Sequence, residues 1–321
     1  MYENNLNNIQ LISIAMATYN GEKYLKEQLD SIYAQTYKNI EVIVTDDCSS
    51  DGTVGILEQY SKSHGLKYFA NEENIGFVKN FEKAVSLCDG EFIALSDQDD
   101  IWLPHKLTTL VQNIGDNILA CSDAKLIDEN NHVIAESFFK YANDPKNDRL
   151  TFPKLLIRNY VTGCTVLMKR DILQKAHPIP SDITYHDWWY GLIASTLNGI
   201  YVHKEALILY RQHDKNQIGV NEDKPVSVLK KISLIINKEH SQKRVINGKK
   251  IIKDLKIFRQ TNRFSNFENN ILEDLIIHYE SFGKGLFHFK AFFIAIKYRD
   301  VIYYNISPNI RFIACLRSLF L

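Results

Sequence analysis

The sequence predicts an α/β protein whose mostly parallel central sheet is flanked by helices and followed by a C-terminal helical extension. Short apolar runs alternate with amphipathic stretches through the first half of the chain, which is typical of βαβ units. Polar clusters follow the first, second and fourth apolar runs, at the strand ends where such sheets bind ligands. From about residue 226 onward, apolar residues are interleaved with Lys and Arg, which favours basic amphipathic helices.

Four strands and three helices are predicted within the first hundred residues. The apolar runs predict strands at 11–19, 40–47, 66–71 and 91–97. The stretches between them predict helices at 21–36, 53–65 and 74–90. In the first helix, Leu25, Leu29 and Ile32 fall on one face, as the amphipathic pattern requires.

Beyond Asp100 the pattern is less regular. Strands are predicted at 118–128 and 132–137, as a hairpin, and at 161–171 and 206–213. Helices are predicted at 152–159, 186–199, 227–238 and 287–304. We therefore expect one α/β domain over residues 1–220 and a basic, mainly helical region over residues 221–321.

Charge is distributed unevenly along the 321 residues, although the formal net charge is zero. Residues 1–220 contain 20 Lys and Arg against 29 Asp and Glu, a balance of −9, and residues 221–321 contain 18 against 9, a balance of +9. A basic segment of this kind is typical of contact with an anionic surface. One interpretation is peripheral contact with the inner face of the plasma membrane; the other is a helical subdomain packed on the first domain. No nucleic-acid partner is expected.

Cysteine usage and the lack of long apolar runs predict a cytoplasmic protein. The five cysteines form no C-x-x-C pair, so buried thiols in a reducing compartment are the simplest interpretation. The first ten residues lack the charged and apolar regions of a signal peptide, and no run of 18 apolar residues predicts a spanning helix.

The stretch "ALSDQDDIWLP" concentrates three carboxylates at the end of a predicted strand. Asp97 and Asp99 form a D-x-D pair, which offers hard oxygen ligands to Mg²⁺ or Mn²⁺. Such a cation would offset the repulsion among the aspartates and neutralise a diphosphate leaving group. The alternative is a solvated turn in which Asp100 caps the next helix.

The stretch "TDDCSSDGT" follows the second predicted strand. Asp46 or Asp47 is placed to accept hydrogen bonds from a nucleotide, whereas the alternative is ordinary turn and capping chemistry. The sequence contains neither G-x-G-x-x-G after the first strand nor G-x-x-x-x-G-K-[ST]. With these phosphate cradles absent, we expect a metal to bind the phosphates instead.

Two later stretches, "YHDWWYG" and "LYRQH", add candidate site residues. Asp187 beside aromatic residues is a candidate general base, and Trp188 offers a face for stacking on a sugar. Arg211 suits phosphate, and His213, two residues on along a strand, is a candidate metal ligand. The alternatives are that the tryptophans belong to the core and Asp187 caps a helix. For the second stretch, Arg211 would form a salt bridge at the strand end and His213 would be exposed.

Together these segments resemble the family 2 glycosyltransferases of GT-A fold. The resemblance rests on "SIAMATYNGEKYLKEQLDSIYAQTY", "EVIVTDDCSSDGT", "NIGFVKNFEKAV", "GEFIALSDQDDIWLP" and "HDWW", in order, and covers roughly Leu11 to Gly219. Each segment alone is weak evidence for the family, but all five in the expected order and spacing are specific to it. "SDQDDIW", "VTGCT", "HDWW" and "YRQH" also resemble a bacterial subgroup often described as rhamnosyltransferases.

The resemblance implies a role for each matching residue. On the nucleotide side, Ala17 and Tyr19 would line the base and Asp47 would hold it. Lys79, where the family commonly has arginine, would contact the diphosphate or base. Asp97 would lie on the nucleotide side of the D-x-D, and Asp99 would contact the metal, Mg²⁺ or Mn²⁺.

The remaining implied roles concern the acceptor side and the metal. Asp187 matches the acidic residue of the family's "ED" motif and would be the general base, with His186 in place of the usual Glu. His213 would contact the metal or the diphosphate. Trp188 and Arg211 are candidate substrate or diphosphate contacts.

The implied reaction is inverting sugar transfer by the domain over residues 1–220. The donor would be a nucleotide sugar such as dTDP-L-rhamnose, and the acceptor a hydroxyl of a growing cell-surface polysaccharide or lipid-linked glycan. Two alternatives stay open: a sugar-phosphate nucleotidyltransferase of related fold, and a non-catalytic nucleotide-binding protein. The first usually needs a glycine-rich basic loop after strand one, which "ATYNGEKY" matches poorly.

Overall fold

The computed structural model of the protein describes residues 10–142, 149–213, 238–282, 288–303 and 311–318. These residues divide into two compact units. The first takes its described residues from Met1–Leu150, Tyr160–Ser181 and Tyr185–Asp223, and the second from Thr151–Asn159, Asp182–Thr184 and Lys224–Leu321. The expected boundary between residues 220 and 221 lies outside the described residues, as do the first nine residues.

The first unit is built on a nine-stranded sheet with the order β3-β2-β1-β4-β8-β6-β9-β5, and β7 pairs with β6. The strands are β1 (Ile12–Thr18), β2 (Ile40–Asp46), β3 (Lys67–Ala70), β4 (Phe92–Ser96), β5 (Ile101–Trp102), β6 (Leu119–Ile127), β7 (Val133–Ala135), β8 (Leu167–Lys169) and β9 (Ile200–Arg211). Helices of this unit are α1 (Leu25–Tyr33), α2 (Thr53–His64), α3 (Phe77–Ser86), α4 (Lys106–Ile114), α5 (Phe138–Tyr141), α7 (Leu173–Ala176) and α8 (His186–Ser195).

Parallel pairing joins β3, β2, β1 and β4, as the alternation of apolar and amphipathic stretches predicts. The other half is mixed, because β8 pairs antiparallel with β4 and β6, while β6 and β9 pair in parallel. The predicted hairpin is confirmed as β6 and β7. The predicted strand over 161–171 is wrong in part: a 3-10 turn, Gly163–Thr165, precedes the short β8.

The apolar residues of β1 and α1 explain why these elements form. Ile12, Ile14 and Met16 alternate along β1 and are fully buried in the core. Leu25 and Leu29 lie one turn apart on α1 and bury the same face of the helix in that core. Burying each such side chain contributes about 1.5–3 kcal/mol, so the regular spacing of these residues favours a strand and a helix that pack on the same core.

The second unit consists of α6 (Phe152–Ile157), α9 (Lys238–Gln260), α10 (Asn266–Glu280), α11 (Phe289–Lys297), α12 (Arg299–Ile302) and α13 (Arg311–Arg317). A capping box begins α10: Glu268 N donates to Ser265 Oγ, and Ser265 N donates to the Glu268 carboxylate. The helix predicted over 227–238 lies outside the described residues except for residue 238. Among the described helices, none combines the length and apolar character needed to cross a membrane.

Candidate functional site

The loops after β1, β2 and β4 lie at one edge of the sheet. In the parallel registers, Thr18 of β1 is opposite Asp46 of β2, and Met16 of β1 is opposite Ser96 of β4. The carboxyl ends of the three strands therefore point the same way. The polar clusters that follow them meet at the edge where a parallel sheet binds ligands.

In the loop after β2, the protein itself satisfies both aspartates. Asp46 is 1% exposed and accepts hydrogen bonds from Thr18 Oγ1 at 2.8 Å, Ser49 N at 2.9 Å and Ser49 Oγ at 2.6 Å. These bonds hold the turn that carries Asp47. Asp46 is thus a structural carboxylate of the loop.

Asp47 fixes the N-terminus of α3. Its Oδ1 accepts from Ile75 N at 2.8 Å and from Asn71 Nδ2 at 2.9 Å, and its Oδ2 accepts from Gly76 N at 2.9 Å. A carboxylate has about four acceptor positions, so Oδ2 retains room for one more donor. This is the position at which the predicted contact with a nucleotide base would be made.

Gln98, the middle residue of the D-x-D, joins the loop after β1 to the acidic loop. Tyr19 N donates to Gln98 Oε1 at 2.9 Å, and Gln98 Nε2 donates to Tyr19 O at 3.1 Å. Gly21 leaves the space for this amide, because a Cβ on Gly21 would lie 2.3 Å from Oε1. Ala17, next to last in β1, is half-buried, and Tyr19, which Gln98 ties to the acidic loop, is 51% exposed.

The carboxylates of the acidic loop, Asp97–Asp100, have fewer described hydrogen-bond donors than those of the loop after β2. Asp100 is fully buried; Arg211 N donates to its Oδ1 at 3.0 Å, and its Oδ2 has no partner among the described residues. Carboxylate oxygens of Asp97 and Asp100 and the Sγ of Cys164 lie within 4.8 Å of one another.

This crowding changes the proton affinities of the acidic loop. Burial, followed by the charges of Asp99 and Asp187, raises the pKa of Asp97 to about 7. Burial and the charges of Asp99 and Asp97 raise the pKa of Asp100 well above its usual range. Asp187 is near this loop as well, because Gly163 N donates to Asp187 and the adjacent Cys164 has its Sγ within 4.8 Å of the Asp97 and Asp100 carboxylate oxygens.

Lys106 provides a positive charge beneath the acidic loop. The side chain is fully buried, its Nζ donates to the Cys164 carbonyl at 2.6 Å, and Nζ lies 3.3 Å from the centre of the Trp102 ring. Burial lowers the pKa of Lys106 to about 7, whereas Asp100 and Asp97 act to raise it. Sequence patterns gave no signal for this residue, since a lysine at the start of an amphipathic helix is normally solvated.

Asp99 is paired with His213. His213 Nε2 lies 2.9 Å from Asp99 Oδ2, and the His213 ring stacks on Tyr24 with 5.2 Å between ring centres. Arg211 Nε donates to the Asp99 carbonyl at 2.7 Å. The structure therefore brings together Asp99 and His213, the two residues predicted to contact the metal.

Arg211 and Lys79, which are predicted to contact the diphosphate, form hydrogen bonds with other residues of the protein. Arg211 is 1% exposed; its Nη2 donates to Glu27 at 2.7 Å, and its guanidinium carbon lies 4.4 Å from the centre of the Tyr24 ring. Lys79 Nζ donates to Glu82 at 2.6 Å and to the Ile179 carbonyl at 3.1 Å. Their contacts with a diphosphate stay predictions.

Asp187 lies in the first turn of α8 and is 7% exposed. Gly163 N donates to its Oδ2 at 2.9 Å, and Trp188 N donates to its Oδ1 at 2.6 Å. The 3-10 turn at Gly163 brings this N–H to the carboxylate, which explains why the predicted strand is interrupted there. Trp188 is 6% exposed, so its sugar contact also stays a prediction.

The acidic loop has the donor chemistry of a divalent-cation site. The unpartnered Oδ2 of Asp100 and the nearby carboxylate of Asp97 are hard oxygen ligands, which suit Mg²⁺ or Mn²⁺. Cys164 does not fit such a cation, because burial raises the pKa of its thiol well above the usual range and keeps it protonated.

Comparison with known proteins gives a consistent assignment. The model of the Glycosyl transferase family 2 matches residues 13–176. A dTDP-rhamnosyl transferase, RfbG of Shigella flexneri, is 31% identical over 220 residues, which are 64% of this chain and 74% of the relative. An uncharacterized glycosyltransferase of Haemophilus influenzae is 30% identical over 238 residues, or 71% of this chain and 73% of that one.

Two solved structures share the fold. S. aureus TarS 1-349 in complex with UDP-GlcNAc has a TM-score of 0.54 at 18% identity, covering 97% of this chain and 81% of that one. The mannosyltransferase PcManGT from Pyrobaculum calidifontis, in complex with GDP-Man and Mn²⁺, has a TM-score of 0.51 at 16% identity, covering 97% and 87%. These similarities support the predicted GT-A fold.

Proposed function

Because the chain belongs to the glycosyl transferase family 2 and is a nucleotide-sugar transferase, we propose that it is an inverting enzyme that transfers L-rhamnose from a dTDP-linked donor. The acceptor is a hydroxyl of a growing cell-surface polysaccharide or lipid-linked glycan. The observation that supports this proposal most directly is that the loops after β2 and β4 end at one edge of the sheet, and that Gly163 and Cys164 connect Asp187 to the acidic loop. The rhamnose donor rests on the relative named as a dTDP-rhamnosyl transferase.

The nucleotide binds along the strand ends of the parallel half. Ala17 and Tyr19 line the base, and the free acceptor position of Asp47 Oδ2 takes a base N–H. Lys79, now paired with Glu82, exchanges that partner for the diphosphate when the donor binds. Through its two hydrogen bonds with Tyr19, Gln98 fixes the position of the loop after β1 relative to the acidic loop.

Asp99 and His213 would hold a divalent cation, Mg²⁺ or Mn²⁺, beside the carboxylate oxygens of Asp97 and Asp100, with Asp97 towards the nucleotide. When bound, this cation neutralises the charge that develops on the diphosphate leaving group. Lys106 offsets part of the negative charge of the loop and is held by the Cys164 carbonyl. Arg211 supports Asp99 through its carbonyl and adds positive charge near the diphosphate.

Asp187 takes the proton from the acceptor hydroxyl. Its carboxylate is oriented by Gly163 N and Trp188 N, which leaves the oxygens fixed while they accept the proton. The acceptor oxygen then forms a bond to the anomeric carbon as the bond from that carbon to the diphosphate oxygen breaks on the opposite face. A single base suffices and the configuration inverts. Trp188 borders the sugar.

A donor screen tests this function. The protein is incubated with Mn²⁺ and, in turn, dTDP-L-rhamnose, UDP-GlcNAc, UDP-glucose and GDP-mannose, and release of the nucleoside diphosphate is measured. We expect release from dTDP-L-rhamnose above all, and its loss in Asp187→Asn but not in the exposed control Asp116→Asn. Release from none of the four donors, with no nucleotide binding, would contradict the proposal.

A second proposal concerns the helical unit, whose aromatic residues suggest contact with an anionic membrane surface. Phe289 and Phe293 of α11 are 63% and 65% exposed, and Phe312 and Leu316 of α13 are 53% and 38% exposed. Members of each pair are four residues apart and therefore share a helix face. The exposed Lys290 and Arg299 add positive charge, which anionic lipid attracts by roughly 1 kcal/mol per residue.

Flotation with liposomes tests the membrane proposal. We expect the protein to float with vesicles that contain phosphatidylglycerol, and the double variant Phe289→Ser and Phe293→Ser to float several-fold less. Ile134→Ser, which replaces a residue that is 48% exposed in the first unit, is the matched control. Equal flotation of the double variant and the wild type would contradict this proposal without affecting the transferase assignment.

A further inference from the structure

His186 is a buried histidine whose two ring nitrogens both lack a hydrogen-bond partner among the described residues. The residue is 6% exposed and begins α8, directly before Asp187. Leaving a buried polar group unpaired is costly, and native proteins satisfy nearly all such groups. The imidazole therefore marks a place where a hydrogen-bonding partner is expected.

Two phenylalanines of α3 hold the imidazole in place. The ring stacks on Phe81, with 4.0 Å between ring centres and 18° between planes, and meets the edge of Phe77 at 6.1 Å. Burial lowers the pKa of His186 to about 3, so the ring is neutral near pH 7. A neutral imidazole has one donor and one acceptor nitrogen, which suits a hydroxyl group.

Gly163 lies beside both His186 and Asp187. A Cβ on Gly163 would lie 3.4 Å from both His186 Nε2 and Asp187 Oδ2, and 3.5 Å from the Asp187 Cβ. The imidazole nitrogen and the carboxylate of the proposed base therefore flank the same backbone position, and a ligand that reaches one of them is close to the other.

We propose that His186 binds a hydroxyl of the acceptor sugar, next to the hydroxyl that Asp187 deprotonates. The acceptor class is accordingly a sugar with two neighbouring hydroxyls at the point of attachment. This inference rests on the proposed transferase function. His186 exchanges no proton in the reaction: the proton of the attacking hydroxyl goes to Asp187, and the carbon–oxygen bonds form and break as described above.

Three variants separate this role from a structural one. His186→Phe keeps an aromatic ring on Phe81 but removes both nitrogens, and His186→Gln keeps a donor and an acceptor. His278→Phe is the matched control, since His278 is also buried, with an Nε2 that has no partner among the described residues, but lies in the helical unit. Transfer from dTDP-L-rhamnose to methyl glycosides of rhamnose, glucose and galactose is measured, together with dTDP affinity and ligand-free melting temperature.

We expect H186F to raise the KM for the glycoside about tenfold to a hundredfold, as loss of one hydrogen bond does. Its affinity for dTDP with Mn²⁺ stays within about twofold of wild type, and its ligand-free melting temperature is equal or higher, because two unpaired buried nitrogens are gone. H186Q recovers most of the lost glycoside affinity, and H278F leaves all kinetic constants unchanged.

The outcomes that overturn the role of His186 differ from those that overturn the transferase function. Equal transfer by wild type and H186F, or a parallel fall of melting temperature, dTDP affinity and transfer in H186F, assigns His186 a merely structural role. Wild-type transfer to water or to simple alcohols but to none of the glycosides overturns the neighbouring-hydroxyl acceptor. Failure of the wild type to release nucleotide from any donor overturns the transferase function itself.

Discussion

The two aspartate-rich loops at the sheet edge have similar sequences but opposite hydrogen-bonding states. In the loop after β2, Asp46 and Asp47 together accept hydrogen bonds from six described donors. In the acidic loop, Asp100 is fully buried with an unpartnered Oδ2, and the pKa of Asp97 is raised to about 7 by burial and by neighbouring carboxylates. The loop after β2 satisfies its own carboxylates, whereas the acidic loop leaves Asp100 Oδ2 without a partner among the described residues although Lys106, Arg211 and His213 lie close by.

The comparison shows how a structure distinguishes carboxylates that build a site from those that bind a ligand. A carboxylate supplied with several N–H donors stabilises its loop, and its removal destabilises the fold. A carboxylate left with few donors beside other carboxylates costs stability, and a ligand offsets that cost. Substitutions in the two loops should therefore have opposite effects on stability.

The largest effect is expected at Asp99. Asp99→Ala should lower the turnover number about a hundredfold to a thousandfold, because a group that helps to neutralise the leaving diphosphate is lost. Its melting temperature without ligand should change little, since the pair with His213 is partly exposed and such pairs contribute about 0–1 kcal/mol. Nucleotide release and thermal shift with Mn²⁺ measure the two effects. A near-wild-type turnover number would contradict the metal role.

The second effect concerns the loop after β2, whose carboxylates accept several hydrogen bonds. Asp47→Ala should lower the free energy of unfolding by about 3 kcal/mol, because Ile75 N, Gly76 N and Asn71 Nδ2 lose their acceptor. Urea denaturation measures the change, and Asp47→Asn, which keeps one acceptor oxygen, should cost less. If Asp47→Ala unfolded at the same urea concentration as the wild type, the carboxylate would not hold α3 in place.

The third effect has the opposite sign. Asp100→Asn should raise the free energy of unfolding at pH 8 by about 2 kcal/mol, because it replaces a carboxyl group whose ionised form is disfavoured by burial and by two neighbouring carboxylates, and it retains the acceptor for Arg211 N. The matched substitution Asp46→Asn should destabilise, since both Asp46 oxygens accept hydrogen bonds. If both substitutions changed the free energy of unfolding in the same direction, the proposed difference between the two loops would be wrong.

The smallest effect is a pH dependence at Asp97. Its pKa is about 7 in the folded protein and about 4 in the unfolded chain, so between these values the folded state binds more protons and loses stability as pH rises. Asp97→Asn cannot ionise, so its free energy of unfolding does not fall in this way. In EDTA, the free energy of unfolding of Asp97→Asn should equal that of the wild type at pH 4 and exceed it by about 1 kcal/mol above pH 7. An advantage that does not vary with pH would show that Asp97 does not titrate in this range.

Sequence patterns predicted the parallel half of the fold well and the contacts of the site less well. β1, β2 and β4 are apolar runs bounded by turn residues, so local periodicity defines them. The two-residue β5 is too short for any period, and its pairing with β9 joins residues more than a hundred positions apart.

Side-chain environments in the site depend on such long-range contacts. Lys106 lies at the start of an amphipathic helix, and only Trp102 and the Cys164 carbonyl reveal that it is buried. His186 is separated by about a hundred residues from the phenylalanines that surround it. Residue types therefore predicted which aspartates belong to a site, and only the packing shows which of them lack hydrogen-bond partners among the described residues.

The contact between Gly21 and Gln98 couples these two positions. A Cβ at position 21 would lie 2.3 Å from the Gln98 Oε1, so any side chain there requires the amide to rotate away. That rotation would break both hydrogen bonds between Gln98 and Tyr19 and release Tyr19 from the acidic loop. Substitutions at the two positions should therefore act through the same lost link, and the double variant should lose little more activity than either single variant.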